Sequence, residues 1–180
     1  MRRGDIGMIN EEKASETLRS VELSLATVQG REDGAVVGRD GAVLLYQRGE
    51  EDKVSVDGRL IKDNIFTHLH HNGMCNLSDG DVISFIKDDG YEVRVVTPDG
   101  HFVSLKRGNG AINTSLGEDM LKACRDRKFV KEIIRRTKEK YGRAEDDSLI
   151  NKELENAMNE WLSNNAVKYG YIFTQGRHEP

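Results

Sequence analysis

Several features that define common protein classes are absent from this chain. Its 180 residues include only two cysteines, Cys75 and Cys124, and they form no Cys-x-x-Cys pair. No disulfide framework is therefore expected, and the composition fits a reducing compartment. There is no run of about 18 apolar residues, so we expect no membrane-spanning helix and no membrane partner. A basic excess is also missing, since the formal net charge is −4. The acidic balance therefore argues against nucleic acid as a partner.

The first residues do not resemble a secretory signal peptide. Met1-Arg2-Arg3 is followed by Gly4-Asp5 and not by an apolar segment, which predicts a cytoplasmic protein. Hydrophobic residues make up 37% and charged residues 32% of the chain. Over 180 residues this composition supports one hydrophobic core and argues against a second full domain.

The pattern of apolar and turn-forming residues predicts a mixture of helices and strands. Residues 10–26 have the spacing of an amphipathic helix, and Asp40-Gly41 between two short apolar runs predicts a hairpin. A β-branched and aromatic run follows at 65–70, and Ser78-x-x-Asp81 is a typical N-terminal cap for a helix over 78–88. Two further strands, 91–97 and 101–106, complete a core of the α/β or α+β class.

The last third of the chain has a helical pattern. We expect one helix from about Met120 to Tyr141, ended by Gly142, and another over 147–167. Leu154, Met158 and Trp161 belong to an apolar stripe on the second of these helices, and we expect them to be buried. Residues 169–173 predict a final short strand. The expected organisation is a core over 1–115 and a helical extension over 116–180 packed on it.

Two histidines on the predicted strand 65–70 are the first candidates for function. Side chains of a strand alternate between faces, so His68 and His70 project from the same face. The helix that begins at Ser78 would bring Asp81 beside them. Two imidazoles and one carboxylate leave a fourth tetrahedral position for water, as in catalytic zinc sites. A simpler interpretation is also open, in which Asp81 only caps the helix and the histidines lie on a polar surface.

A zinc hydrolase also needs a general acid/base that is not itself a ligand. Three upstream glutamates are candidates: Glu32, just before the first strand of the hairpin, and the pair Glu50 and Glu51. Glu32 is preferred because its position allows it to reach a neighbouring strand, although the sequence does not decide among the three. Ser78 is a candidate donor to the oxyanion that forms when water attacks a carbonyl.

These residues together resemble the JAB/MPN (JAMM) metalloprotease motif, which combines His-x-His, seven intervening residues, Ser-x-x-Asp and an upstream glutamate. The segments 63–68, 91–100 and 104–107 are also similar to the JAB-like domains attached to phage head morphogenesis proteins. The resemblance implies a cytidine-deaminase-like mixed sheet flanked by helices. It also implies zinc held by His68, His70 and Asp81, with Ser78 on the oxyanion side and Glu32 as the acid/base. His71 replaces a proline that usually follows the second histidine.

Two functions from different classes follow from this resemblance. The first is a zinc-dependent metallopeptidase or isopeptidase acting on a protein or peptide. The second is a non-catalytic JAB-like interaction or structural module of a phage or prophage particle, which would bind a capsid-related protein and be virion-associated. A nucleobase deaminase is disfavoured because the chain lacks His-x-Glu and Pro-Cys-x-x-Cys. A nuclease built on His70-His71-Asn72 is disfavoured by the acidic charge.

Overall fold

A six-stranded mixed sheet organises the fold in the computed structural model, which describes residues 10–142 and 147–179. The strands lie in the order β2-β1-β3-β4-β5-β6. In chain order the elements are α1 (Glu11–Leu25), β1 (Gly34–Val37), β2 (Val43–Gln47), α2 (Gly58–Ile61), β3 (Ile65–Leu69), α3 (Asp79–Lys87), β4 (Glu92–Val96), β5 (His101–Arg107), α4 (Leu116–Cys124), α5 (Arg127–Tyr141), α6 (Asp147–Asn165), a 3-10 turn (Ala166–Tyr169) and β6 (Tyr171–Arg177).

Strands β3 and β4 form the only parallel pair among the named strands, and they are connected through α3. The other neighbouring pairs are antiparallel, including the predicted hairpin of β1 and β2. The α3 connection follows the C-terminal end of β3, and ligand sites commonly form at such an end. His68 and the start of α3 therefore belong to one end of the sheet.

Helices cover both faces of the sheet. On one face, Ala14 and Leu18 of α1 are buried against Val37 and Ile65. The larger core lies on the opposite face, where α3, α4 and α6 meet the strands. Its largest fully buried side chains include Leu77, Leu105, Leu116, Met120 and Leu162. The structure is thus a mixed α+β fold with helices on either side of a mixed sheet, which agrees with the fold class predicted from the sequence.

A buried ionic network connects α1 with the sheet. Glu22 is fully buried, and its carboxylate accepts hydrogen bonds from Arg94 Nε at 2.6 Å and from Thr67 Oγ1 at 2.7 Å. His178, after the end of β6, also contacts this carboxylate. Arg94 pairs in addition with Glu92 at 2.8 Å. Ionised groups are rarely buried without partners, and here each charge faces an opposite one.

The expectation of one helix from Met120 to Tyr141 is wrong. The chain leaves the helical conformation at Arg125 and Asp126, and the Asp126 side chain accepts hydrogen bonds from the main-chain nitrogens of Lys128 and Phe129. An aspartate at this position satisfies the free N–H groups of a new helix, so α5 begins where the sequence pattern had continued α4. Gly142 ends α5 as expected, with φ +66°.

The C-terminal residues are integrated with the rest of the protein. The final strand is longer than expected, Tyr171–Arg177, and pairs with β5 along its length. Leu154, Met158 and Trp161 are half-buried, not fully buried, whereas their helical neighbours Ala157 and Leu162 are buried. Residues 1–5, on which the expected compartment depends, lie outside the described residues. Among the described helices, none has the length and apolarity needed to cross a membrane.

Candidate metal centre

Strand β3 carries His68, and the residue after its end, His70, projects to the same side of the sheet. Thr67, which precedes His68 on the strand, points to the opposite face and donates a hydrogen bond to Glu22. The Nε2 atoms of His68 and His70 are 3.2 Å apart. The ring of His68 stacks on Phe66 at 5.1 Å between centroids, which fixes the orientation of a side chain that is only 3% exposed.

Helix α3 supplies the third candidate ligand. Ser78 and Asp81 form a reciprocal capping box, in which the Ser78 hydroxyl accepts from Asp81 N–H and Asp81 accepts from Ser78 N–H at 2.8 Å. The cap turns the Asp81 carboxylate toward β3. Its Oδ1 atom lies 3.2 Å from His68 Nε2, and its Oδ2 atom lies 3.9 Å from His70 Nε2. Asp81 therefore caps α3 and lies beside the two histidines at the same time.

The three side chains could hold a metal ion. Their ligand atoms all lie within 4.8 Å of one another. Two atoms bound to one zinc ion at about 2.0–2.1 Å and at tetrahedral angles are about 3.3 Å apart. Two of the three observed separations, 3.2 Å each, match that value. The geometry suits a small divalent cation, and the donor set of two imidazoles and a carboxylate suits zinc.

The protonation states of His70 and Asp81 suit a bound cation, whereas protonation of His68 competes with one. Burial and the nearby His68 lower the pKa of His70 to about 4, so its imidazole is neutral at pH 7. Its Nδ1 atom lies 2.9 Å from the carbonyl of Met74, which places the proton on Nδ1 and leaves Nε2 with a free lone pair. Burial opposes protonation of His68, but the carboxylates of Asp81 and Glu32 raise its pKa. Burial likewise opposes ionisation of Asp81, but His68 and His70 lower its pKa.

Glu32 lies in the same cleft as these three residues. It comes two residues before Gly34, whose register partner on β3 is His68. The Glu32 side chain is buried, and its pKa is raised by burial and by Asp81, against the opposing effect of His68. A carboxyl group beside a metal site can accept a proton and release it again during catalysis. Glu50 and Glu51 also line the cleft, but both are exposed, and Glu50 pairs with Lys53 at 3.3 Å.

The other sequence candidates have different partners. The Ser78 hydroxyl donates to Asp81 Oδ2 at 2.7 Å, so it orients that carboxylate directly. His71 Nε2 donates to the carbonyl of Glu51 at 2.7 Å, away from the other histidines. Burial raises the pKa of the Cys75 thiol to about 11, which keeps it protonated at neutral pH. Neither His71 nor Cys75 joins the cluster within the described part of the chain.

The cluster opens into a cleft of about 1130 Å³. Its walls come from β3, α3 and the segment after β2, and also from α6 through Glu155. The sequence pattern gave no sign that α6 approaches this site, since the apolar stripe of α6 indicated core packing alone. Asn159 of α6 donates a hydrogen bond to the carbonyl of Cys75 at 2.7 Å.

Fold and site together define a mixed α+β protein with a three-residue candidate metal centre. Comparison of the chain with protein-family models, with curated proteins and with solved structures finds no match.

Proposed function

We propose that this protein is a zinc-dependent metallopeptidase or isopeptidase of the JAB/MPN type. The observation that carries the proposal is the convergence of His68, His70 and Asp81 with a buried glutamate, Glu32, in one open cleft. A capping pattern alone would explain Asp81 but neither the convergence of two imidazoles on it nor the burial of Glu32. The motif resemblance assigns the same residues the same roles.

The chain's own residues supply the remaining steps of amide hydrolysis. Zinc in this site would supply Lewis-acid activation of water and of the scissile carbonyl. Glu32 takes a proton from the attacking water as its oxygen bonds to the carbonyl carbon. Glu32 then gives that proton to the amide nitrogen as the C–N bond breaks, which leaves a carboxylic acid and an amine. Ser78 keeps Asp81 oriented, and its hydroxyl would serve the oxyanion by turning its proton from Asp81 to that oxygen.

The second candidate function is a non-catalytic interaction module, and the edge strand β2 favours it. Val43, Leu44 and Tyr46 are 46–51% exposed on this strand, which among the described strands pairs with β1 alone. An unprotected edge strand with apolar side chains can pair with an extended segment of another protein. A capsid-related protein of a phage or prophage particle is the partner that the resemblance indicates.

Metal analysis tests the leading proposal. We expect the protein, purified without chelators, to contain about one zinc per chain, and His68→Ala and Asp81→Asn to lose most of it. His101→Ala is the matched control, because His101 is exposed and lies outside the cluster. The wild-type protein should hydrolyse a member of a peptide or isopeptide library, and a chelator should stop the reaction. Wild-type protein without bound metal, after reconstitution with zinc, would contradict the proposal.

A further inference from the structure

The segment of residues 71–78 (the ligand loop) connects His70 to helix α3, which carries Asp81. Its internal hydrogen bonds are short-range, such as Met74 N to Asn72 Oδ1 at 3.0 Å and Asn76 N to the carbonyl of Met74 at 3.1 Å. The loop has no proline, and Gly73 adopts φ +79°. Local bonds of this kind fix turns, but they do not fix the position of the loop relative to the rest of the protein.

Leu77 anchors the C-terminal end of the ligand loop in the main core, and two side-chain hydrogen bonds attach the rest of the loop to elements distant in sequence. His71 donates to Glu51 on the exposed side of the cleft. Asn159 of α6 donates to the carbonyl of Cys75 at 2.7 Å, in a partly buried environment. Water competes strongly with the exposed bond and less with the buried one, so the Asn159 bond holds the loop more firmly.

Helix α6 is a rigid base for that bond. Leu162, three residues after Asn159, is fully buried in the main core, and Met158 packs against the same cluster. The Cys75 side chain packs against that cluster too. The Asn159 amide therefore joins a helix anchored in the core to the middle of the ligand loop.

We propose that Asn159 is a positioning residue of the metal centre, which holds the ligand loop so that His70 and Asp81 share one ion. The inference rests on the proposed metal site and extends it, because it makes α6 part of the site and not only a covering of the core. Outer residues that orient metal ligands typically contribute 10–100-fold to metal affinity. Asn159 contacts the main chain of the loop and not a candidate ligand itself, so we expect an effect on metal affinity at the lower end of this range.

The test compares three variants of the full-length protein. Asn159→Ala removes the donor, and Asn159→Asp keeps the shape of the side chain but cannot donate to a carbonyl. Asn156→Ala is the matched control, since Asn156 is an exposed residue of the same helix. We expect both Asn159 variants to bind zinc about tenfold more weakly than Asn156→Ala and the wild type. The visible absorption of the cobalt-substituted protein should also change in the Asn159 variants alone, because it reports ligand geometry.

Cysteine modification gives a second readout that needs no metal. In the metal-free protein, Cys75 should react with a small alkylating reagent about tenfold faster in the Asn159 variants, because one hydrogen bond of the ligand loop is lost. Cys124 of α4 is the internal control, and mass spectrometry separates the two sites. Unchanged zinc affinity in both folded Asn159 variants would overturn the inference. If the wild type binds no zinc, the proposed function fails instead, and an unchanged Cys75 rate would then refute the attachment of the loop by Asn159.

Discussion

At the scale of single residues, Glu32 and Glu50 share a hydrogen bond but have different surroundings. The main-chain nitrogen of Glu32 donates to the carbonyl of Glu50 at 2.7 Å, so the two glutamates lie on neighbouring segments. The Glu32 side chain is buried, whereas that of Glu50 is 73% exposed and pairs with Lys53. Burial raises the pKa of the Glu32 carboxyl. A proton-transfer role therefore favours Glu32 over its neighbour.

We predict that Glu32→Gln keeps its zinc but loses turnover by about 10²–10⁴-fold, because the ligand set is untouched while the proton acceptor is removed. Zinc content and kcat on the same substrate are the two measurements. Glu50→Gln and Glu51→Gln are matched controls with the same chemical change on exposed side chains of the same cleft. If Glu32→Gln kept full activity and one of the two controls lost it, the glutamate changed in that control would be the general acid/base instead.

At the scale of elements, the attachment of α1 to the sheet depends on the charge of Glu22. Burial alone would raise the pKa of this carboxyl, but hydrogen bonds from His178, Arg94 and Thr67 lower it to about 2. The folded-state pKa is thus below the unfolded value near 4.5. The stability that ionised Glu22 contributes is therefore present above pH 4.5 and is lost as the pH falls toward 2.

We predict that the free energy of unfolding of the wild type falls by about 3 kcal/mol more than that of Glu22→Gln between pH 4.5 and 2. The glutamine variant cannot titrate at this position, so its free energy of unfolding should change less with pH. At pH 7 it should be less stable than the wild type by about 3–5 kcal/mol, since Arg94 loses a buried partner. Urea denaturation at several pH values measures both effects. Glu16→Gln, on the exposed face of α1, should behave like the wild type. If the free energy of unfolding changed equally with pH in all three proteins, the prediction would be contradicted.

The elements that sequence predicted well have strong local signals. Asp40-Gly41 between apolar runs indicated the hairpin, and the Ser78-x-x-Asp81 cap indicated α3, because both signals depend on residues within one turn. The alternation along β3 correctly placed His68 and His70 on one face. Strand periodicity and capping are therefore enough to bring the three candidate ligands together.

Other features were not predictable because they depend on contacts between distant segments. Glu22 has the sequence context of an amphipathic helix, and nothing near it indicates a pairing with Arg94 and His178. Asn159 likewise contacts Cys75, which is 84 positions away in the chain. The break between α4 and α5 had a local signal in Asp126, but the apolar spacing continues across it and favoured one helix.

At the scale of the whole molecule, the C-terminal third completes the main core. Leu116, Met120, Leu162 and Tyr171 are buried in the same cluster as Phe85 of α3. Strand β6 adds seven register pairs to β5. Removal of residues 116–180 would expose this cluster and leave β5 as an open edge, at a cost of about 1.5–3 kcal/mol for each large buried side chain. Most domains have a total stability of only about 5–15 kcal/mol.

We therefore predict that the metal-free protein unfolds in one cooperative step and that a fragment of residues 1–115 does not fold. Trp161 is the one tryptophan of the chain, so its fluorescence reports α6, while far-UV circular dichroism reports all elements. The two denaturation curves should coincide. Two separate transitions, or limited proteolysis that releases 115–180 as a stable fragment from a folded remainder, would show two independent units.

The distribution of charge around the cleft has a consequence for substrate choice. Five carboxylates outside the candidate catalytic set are among the described residues that line the cleft: Glu50, Glu51, Asp52, Asp88 and Glu155. Lys53 is the one lysine or arginine among those lining residues, and it pairs with Glu50. A zinc ion bound by Asp81 with Glu32 nearby would be neutralised by those two carboxylates. The walls of the cleft would remain acidic and would attract cationic side chains.

We predict that peptides with lysine or arginine beside the scissile bond are cleaved with about tenfold higher kcat/KM than glutamate analogues at low salt. The difference should shrink as the ionic strength rises, because exposed charges are screened over about 10 Å at 0.1 M salt. Glu155 is half-buried, and burial raises its pKa, so a cationic side chain would offset its desolvation. Glu155→Gln should therefore weaken the preference mainly through KM, whereas Glu160→Gln, on an exposed position of α6, should leave it unchanged. Equal cleavage of basic and acidic peptides at low salt would show that the acidic walls do not select the substrate.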